Sequence, residues 1–244
     1  MIVNYPTLNN KNIEEASVVP VTEFPATKSK SIELELEEEM VALYQSINSL
    51  RSDTDNQKNK VIQFMSPLEG EGTSTIAGEL ARVAALKYSK SILLLDADLR
   101  KLDQQPFFNI TLEHSLEETI RAGDPIDEAL YQIENSSLFL GQIFKDSGSV
   151  RQFIDPSGLD DLLGNLRKRF DFIFIDSAPD SVFSIGLATS NSLTGVVLVL
   201  DAEKTCLDMA KNLTDKINKN GGKILGVVVN KERNYVPEFI NKRI

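Results

Sequence analysis

Short, almost purely apolar segments recur along the chain at 61–65, 91–95, 172–175, 195–200 and 224–229. Few of them alternate as a strand with one wet face would, so they must be covered on both sides. Segments with helical spacing separate them, at 74–88, 116–133, 157–169 and 204–219, and a further strand is expected at 138–142. Apolar strands linked by helical crossovers predict an α/β fold. Its sheet is mostly parallel, with helices on both faces and right-handed connections. Ligand sites in such sheets lie beyond the carboxyl ends of the strands. The loops after residues 65, 95, 175 and 229 should therefore share one rim.

Residues 1–30 are polar, carry Pro6, Pro20 and Pro25, and read as a flexible arm ahead of one domain at 31–244. That domain opens with a helix expected at 32–51, on which Leu36, Met40, Leu43, Ile47 and Leu50 form one stripe. The stripe suits packing on the main body or a subunit interface. Glu33, Glu35, Glu37, Glu38 and Glu39 crowd its first turns, where the helix dipole favours negative charge.

Composition removes several functions. A formal charge of −10 argues against a nucleic-acid or anionic-membrane binder. Cys206 is the only cysteine and His114 the only histidine, which excludes an internal disulfide and the usual zinc spacings and argues against histidine-based metal sites and most Ser-His or Cys-His catalysis. The N-terminus has no basic region followed by a long apolar run, and the apolar runs are too short to cross a bilayer. A soluble cytoplasmic protein is expected, one that can still dock on a membrane protein.

The chemistry gathers on the expected rim. The first loop, 66–75, reads SPLEGEGTST. Gly70 and Gly72 let successive backbone N–H groups turn toward an anion, and the following helix N-terminus adds positive potential. Ser74 or Thr75 stands where a hydroxyl would meet magnesium, but Thr73 stands where a phosphate-binding loop carries its lysine. A plain strand–helix turn accounts for the glycines equally well. The second loop carries Asp96, Asp98, Arg100 and Lys101: two carboxylates for a cation or a hydroxyl proton, and two cations for phosphate, or simply an exposed acidic turn. In the third, Asp176 closes a buried strand, as a water-mediated magnesium ligand or a helix N-cap does. In the fourth, Asn230 can read adenine through its amide or serve as a turn residue. A dinucleotide site is the alternative, since Gly70 and Gly72 are followed by Asp96 at the end of the next strand. Thr75 at the third glycine position, the second aspartate and Asp176 speak against it.

Taken together these loops resemble the bacterial tyrosine kinases of capsule and exopolysaccharide export, a branch of the P-loop lineage that includes the cell-division and plasmid-partition ATPases. The resemblance covers roughly 35–232. It rests on SPLEGEGTST against the family's S-x-x-x-G-E-G-K-S-T, on ILLLDADLRK, on Ile175-Asp176-Ser177-Ala178-Pro179, and on GVVLVLDAEKT and ILGVVVN. It implies a P-loop NTPase-like fold and ATP or ADP with Mg2+ held by Gly70, Glu71, Gly72, Thr73, Ser74, Thr75, Arg100 and Asn230. The metal falls to Ser74, Asp96 and Asp176. Asp98 would be the base for a tyrosine hydroxyl, with Asp96 aiding the metal.

The departures are specific. The family's helix motif E-x-x-R-x-x-R, which drives ring assembly, is reduced to Glu39 with Ala42 and Gln45 in place of the arginines. The family's C-terminal tyrosine cluster is represented by Tyr235 alone. With the lysine also absent, the expectation is a catalytically impaired, kinase-like partner of a membrane polysaccharide-export protein or of an active kinase paralogue. The alternative is an active tyrosine kinase or ATPase that recruits Arg100 or Lys101 as the missing cation. Self-association is left open, and no nucleic-acid partner is implied.

Overall fold

The computed structural model describes residues 30–49, 59–98, 101–144, 156–180 and 193–232. Arg100, Tyr235 and all but the last residue of the expected arm lie outside them. The described elements run α1 (Lys30–Ser49), β1 (Lys60–Met65), α2 (Thr73–Tyr88), β2 (Ile92–Asp96), α3 (Gln104–Phe107), α4 (Leu116–Ala122) and a 3-10 turn (Ile126–Ala129). Then come β3 (Tyr131–Gln132), β4 (Leu138–Gln142), α5 (Pro156–Leu166), β5 (Phe172–Asp176), β6 (Gly195–Asp201), α6 (Leu207–Lys219) and β7 (Ile224–Asn230). The strands form one sheet in the order β3-β4-β2-β5-β1-β6-β7. Every pairing is parallel except β3 with β4.

The two-sided burial expected of apolar strands is present. Ile62, Phe64, Leu94, Phe174 and Val197 face a core built with α1 and α2. Their neighbours Val61, Leu93, Leu95, Ile173 and Ile175 face the opposite core, with Leu162, Leu163 and Leu166 of α5. Met65, Val196 and Leu198 meet Leu213 and Ile217 of α6. This is the expected three-layer α/β arrangement.

The stripe on α1 is consumed within the chain. Leu36, Met40, Leu43 and Ile47 are buried in the first core, and Tyr44 stacks on Tyr88 of α2 with ring centroids 4.0 Å apart. Leu50 lies outside the described residues. The last turn of α1 has no basic residue of its own, and β1 supplies one. The buried Lys60 ammonium donates to the carbonyls of Ile47 at 2.9 Å and Asn48 at 2.6 Å. It caps C-terminal carbonyls that have no intrahelical donor, although burial pushes its pKa down. Lys60→Met should leave those carbonyls unsatisfied and cost about 1–3 kcal/mol. An unchanged midpoint in urea denaturation would rule this out.

Three expected helices are shorter than their apolar spacing suggests; the one expected at 157–169 stops at Leu166. The segment 116–133 is not one helix. A capping box between Ser115 and Glu118 starts α4, and Gly123 ends it at φ +80°, its N–H donating to the carbonyl of Ile120. Pro125 lies two residues on, and the chain continues as the 3-10 turn and the edge strand β3. Helix α6 starts at Leu207 rather than 204, because residues 201–205 form a turn whose N–H groups bond back onto Asp201.

Candidate nucleotide-binding site

The strand register creates the site. Asp96 of β2 sits directly beside Asp176 of β5, and Asp201 of β6 beside Asn230 of β7. Above these strand ends the loop 66–72 leads into α2, with Gly70 at φ +80° and Gly72 at φ +93°. A cavity of about 510 Å³ opens over the loop, lined by residues 70–75 with Asp98, Lys101, Lys204, Asn230 and Lys231 among others. The earliest helical bond is donated by Ile76 to the carbonyl of Gly72. The N–H groups of Thr73, Ser74 and Thr75 therefore have no intrahelical acceptor, which is the condition for anion binding.

Glu71 sends its carboxylate away from this role. It is buried and accepts from the N–H groups of Leu68 at 2.8 Å and Asp201 at 3.2 Å, and from the Thr205 hydroxyl. Burial raises its pKa, against the pull of those amides. As placed, the Glu71 side chain ties the loop to β6. Asn230 is committed in a similar way. Its Nδ2 donates to the Glu71 carbonyl at 2.8 Å, and its Oδ1 accepts from the Lys231 N–H at 2.9 Å. The amide that can read adenine or serve as a turn residue here also holds the loop.

Thr73 takes the first position of α2. It is 7% exposed, and its Oγ1 has no hydrogen-bond partner among the described residues. The Ser74 side chain lies close enough to Asp176 to oppose the rise of that carboxyl's pKa. Asp96 and Asp176 are each 1% exposed, and neither is among the residues that line the cavity. Gln104, at the start of α3, covers them. Its Nε2 donates to Asp176 Oδ2 and to the Ser74 carbonyl, both at 2.8 Å, and its backbone N–H donates to Asp96 Oδ2 at 3.2 Å. Burial first, then the charge of Asp176, lifts the pKa of Asp96 to about 8; burial lifts that of Asp176 to about 7, with Gln104 and Ser74 opposing. Asp98 lines the cavity, and its N–H donates to Asp96 Oδ1 at 3.1 Å.

Among the described residues no three His, Cys, Asp or Glu side chains assemble around a metal position. Magnesium does not need such a cage, since it keeps several waters and takes one or two protein oxygens. Among the described residues Asp176 Oδ1 is a buried acceptor without a partner, and the Ser74 side chain is near this carboxylate. These residues fit a hydrated dication. Bound with a nucleotide, it would neutralise phosphate charge, and Ser74 and Asp176 would hold it. Of the expected cations, Arg100 lies outside the described residues. Lys101 is 66% exposed and bonded to Asp103 at 3.0 Å, which raises its pKa. The dinucleotide alternative fails on topology. It needs Asp96 at the end of the strand next to the glycine loop, and β5 stands between β1 and β2.

Sequence reasoning missed Gln104, Asp201 and Lys231. Asp201 closes an apolar strand as Asp176 does, and Lys231 directly follows Asn230, so both carried a signal. Gln104 sits in a polar stretch with no motif.

Sequence comparison decides the relationship. The chain is 24% identical over 208 residues to the tyrosine-protein kinase CpsD of Streptococcus agalactiae serotype III, covering 79% of this chain and 84% of the relative. It is 25% identical over 174 residues to the tyrosine-protein kinase ptk of Acinetobacter johnsonii, covering 71% of this chain. The chain is a homologue of the bacterial tyrosine kinases. It spans only 24% of the Acinetobacter kinase. It also spans 22% of the succinoglycan biosynthesis transport protein ExoP of Rhizobium meliloti, at 25% identity over 180 residues and 71% of this chain. No protein-family model matches.

Solved structures agree on the fold. The kinase domain of Escherichia coli ETK superposes with a TM-score of 0.70 at 17% identity, over 82% of this chain and 78% of that one. The VpsO kinase domain gives 0.68 at 26% identity, over 84% and 100%. The septum-site protein MinD of Pyrococcus horikoshii, complexed with Mg-ADP, gives 0.60 at 22% identity, over 75% and 76%. This kinase homologue has the P-loop NTPase fold, and among its described residues no helix is long and apolar enough to cross a membrane.

Proposed function

We propose that this chain is a kinase-like protein of capsule or exopolysaccharide biosynthesis and export that binds nucleotide weakly, is impaired in phosphoryl transfer, and acts as a regulatory partner. The observation that carries it is Thr73. The loop, the cavity and the acid pair are assembled around a buried hydroxyl where the motif calls for an ammonium. Phosphoryl transfer relies on charge neutralisation and positioning, so the missing cation weighs most at the transition state. The likeness to CpsD and to a succinoglycan transport protein supports a place in polysaccharide export. The partner is then a membrane chain-length protein or an active kinase paralogue, met at the cytoplasmic face. Direct attraction to anionic lipid is opposed by the charge of −10.

Radiolabelled ATP with Mg2+ should leave the purified protein unlabelled on tyrosine. Robust autophosphorylation would overturn the proposal. Thr73→Lys should raise ATP affinity by about one to two orders of magnitude, the equivalent of roughly 1.5–3 kcal/mol for a hydrogen bond to a charged group. Calorimetry showing no gain would mean that the hollow no longer accepts phosphate. The retained acids Asp96, Asp98 and Asp176 favour a second reading, an active kinase or ATPase. It would have to draw Lys101 off Asp103 or use Arg100, and steady ATP turnover by the wild type would establish it.

A further inference from the structure

We propose that Lys231 is a phosphate-facing cation of this site and, for nucleotide binding though not for phosphoryl transfer, partly offsets the lysine absent at position 73. The proposal rests on the nucleotide-binding reading above. Among the described residues three cations line the cavity: Lys101, Lys204 and Lys231. Lys101 and Lys204 have side chains 66% and 65% exposed and hold only acidic neighbours, Lys204 reaching Asp201 at 3.8 Å. Lys231 differs. Its side chain is 26% exposed, and its ammonium donates to the Gly70 carbonyl of the loop and to Asp201 Oδ2 at 3.1 Å. An ammonium has three donors, so one is left for a ligand in the cavity.

The backbone is arranged to bring it there. Lys231 follows the last residue of β7 at φ +59°, a left-handed conformation that is uncommon for a residue with a Cβ. That bend returns the side chain over the loop instead of continuing the strand direction. Asn230, one residue earlier, bonds the Glu71 carbonyl, so two consecutive residues grip the loop. Asp201 is 2% exposed on its side chain and fixes the ammonium. The ligand class is a nucleoside di- or triphosphate. Lys231 approaches from the Gly70 side of the loop, whereas a lysine at position 73 would approach from the helix.

Calorimetric titration of the full chain with ADP and with ATP, each with Mg2+, tests this. The wild type should bind both. Lys231→Gln keeps a donor for Gly70 without the charge and should weaken both by about tenfold, as Lys231→Ala does. Lys231→Arg should stay close to wild type. Thr73→Lys in the Lys231→Ala background should restore binding, which a merely structural loss would not allow. Melting temperatures identify any variant that has lost its fold, and Lys231→Gln then carries the comparison. Unchanged affinity in Lys231→Gln, or a loss that neither Lys231→Arg nor Thr73→Lys repairs, overturns the assignment while nucleotide binding stands. A wild type that binds neither nucleotide overturns both.

Discussion

Without divalent cation, raising the pH from 6 to 8.5 is expected to lower the melting temperature of this protein by roughly 5–10 °C. The cause is the aspartate pair at the ends of β2 and β5. Both are 1% exposed, and the pKa of Asp96 is lifted from 3.8 to about 8 and that of Asp176 from 3.8 to about 7. In the unfolded chain both are ionised across this range. The folded protein therefore binds more protons, and its stability falls as pH rises. The contribution is fully present below the unfolded value and is lost as the pH passes through the folded ones. From pH 6 to 8.5 the loss is on the order of 3–4 kcal/mol. Asp96→Asn should flatten the profile and raise the melting temperature at pH 8.5, and Asp96→Asn/Asp176→Asn should remove most of the slope. Added Mg2+ should stabilise the wild type more at pH 8.5 than at pH 6, because it favours the ionised pair. A profile equally steep in the double variant would assign the effect to the general acidity of the chain instead.

That pair shows how far the sequence was legible. Each aspartate closes an apolar strand, and both were readable as rim residues. Their adjacency was not, because it depends on β5 entering the sheet between β1 and β2. Strand order is a tertiary outcome, and local periodicity does not encode it. The same holds for the over-long helix at 116–133. Ile126, Leu130 and Ile133 continue the spacing set by Leu116 and Ile120, while the chain breaks at Gly123 and Pro125. The apolar period reported burial on one side of an irregular path, and the glycine and proline reported the path. At the site, the rim positions of the loop glycines, Ser74, Asp98 and Asp176 were legible from the motifs. The side-chain roles of Glu71 and Asn230 were not. Both are polar residues buried by long-range contacts to β6 and to the loop, which only the folded register creates.

Gly72→Ala is expected to abolish nucleotide binding and to destabilise the protein by about 2–4 kcal/mol. The two loop glycines make the case by contrast. Both lie in the left-handed region, where an added Cβ costs roughly 1–2 kcal/mol. At Gly70 a Cβ would meet nothing within 4 Å, so Gly70→Ala should show that backbone cost alone. At Gly72 the Cβ would fall 2.2 Å from Asn230 Nδ2, a distance no real pair of atoms sustains. The amide must move, and its bond to the Glu71 carbonyl is then lost, leaving a buried acceptor unsatisfied. Denaturant unfolding of Gly70→Ala, Gly72→Ala, Asn230→Ala and Gly72→Ala/Asn230→Ala separates the terms. Coupling between positions 72 and 230 should appear as a double variant less damaged than the sum of the single ones. Equal losses for the two glycine variants, with strict additivity at 72 and 230, would mean that Asn230 does not press on the loop, and the close-fitting cradle would have to be abandoned.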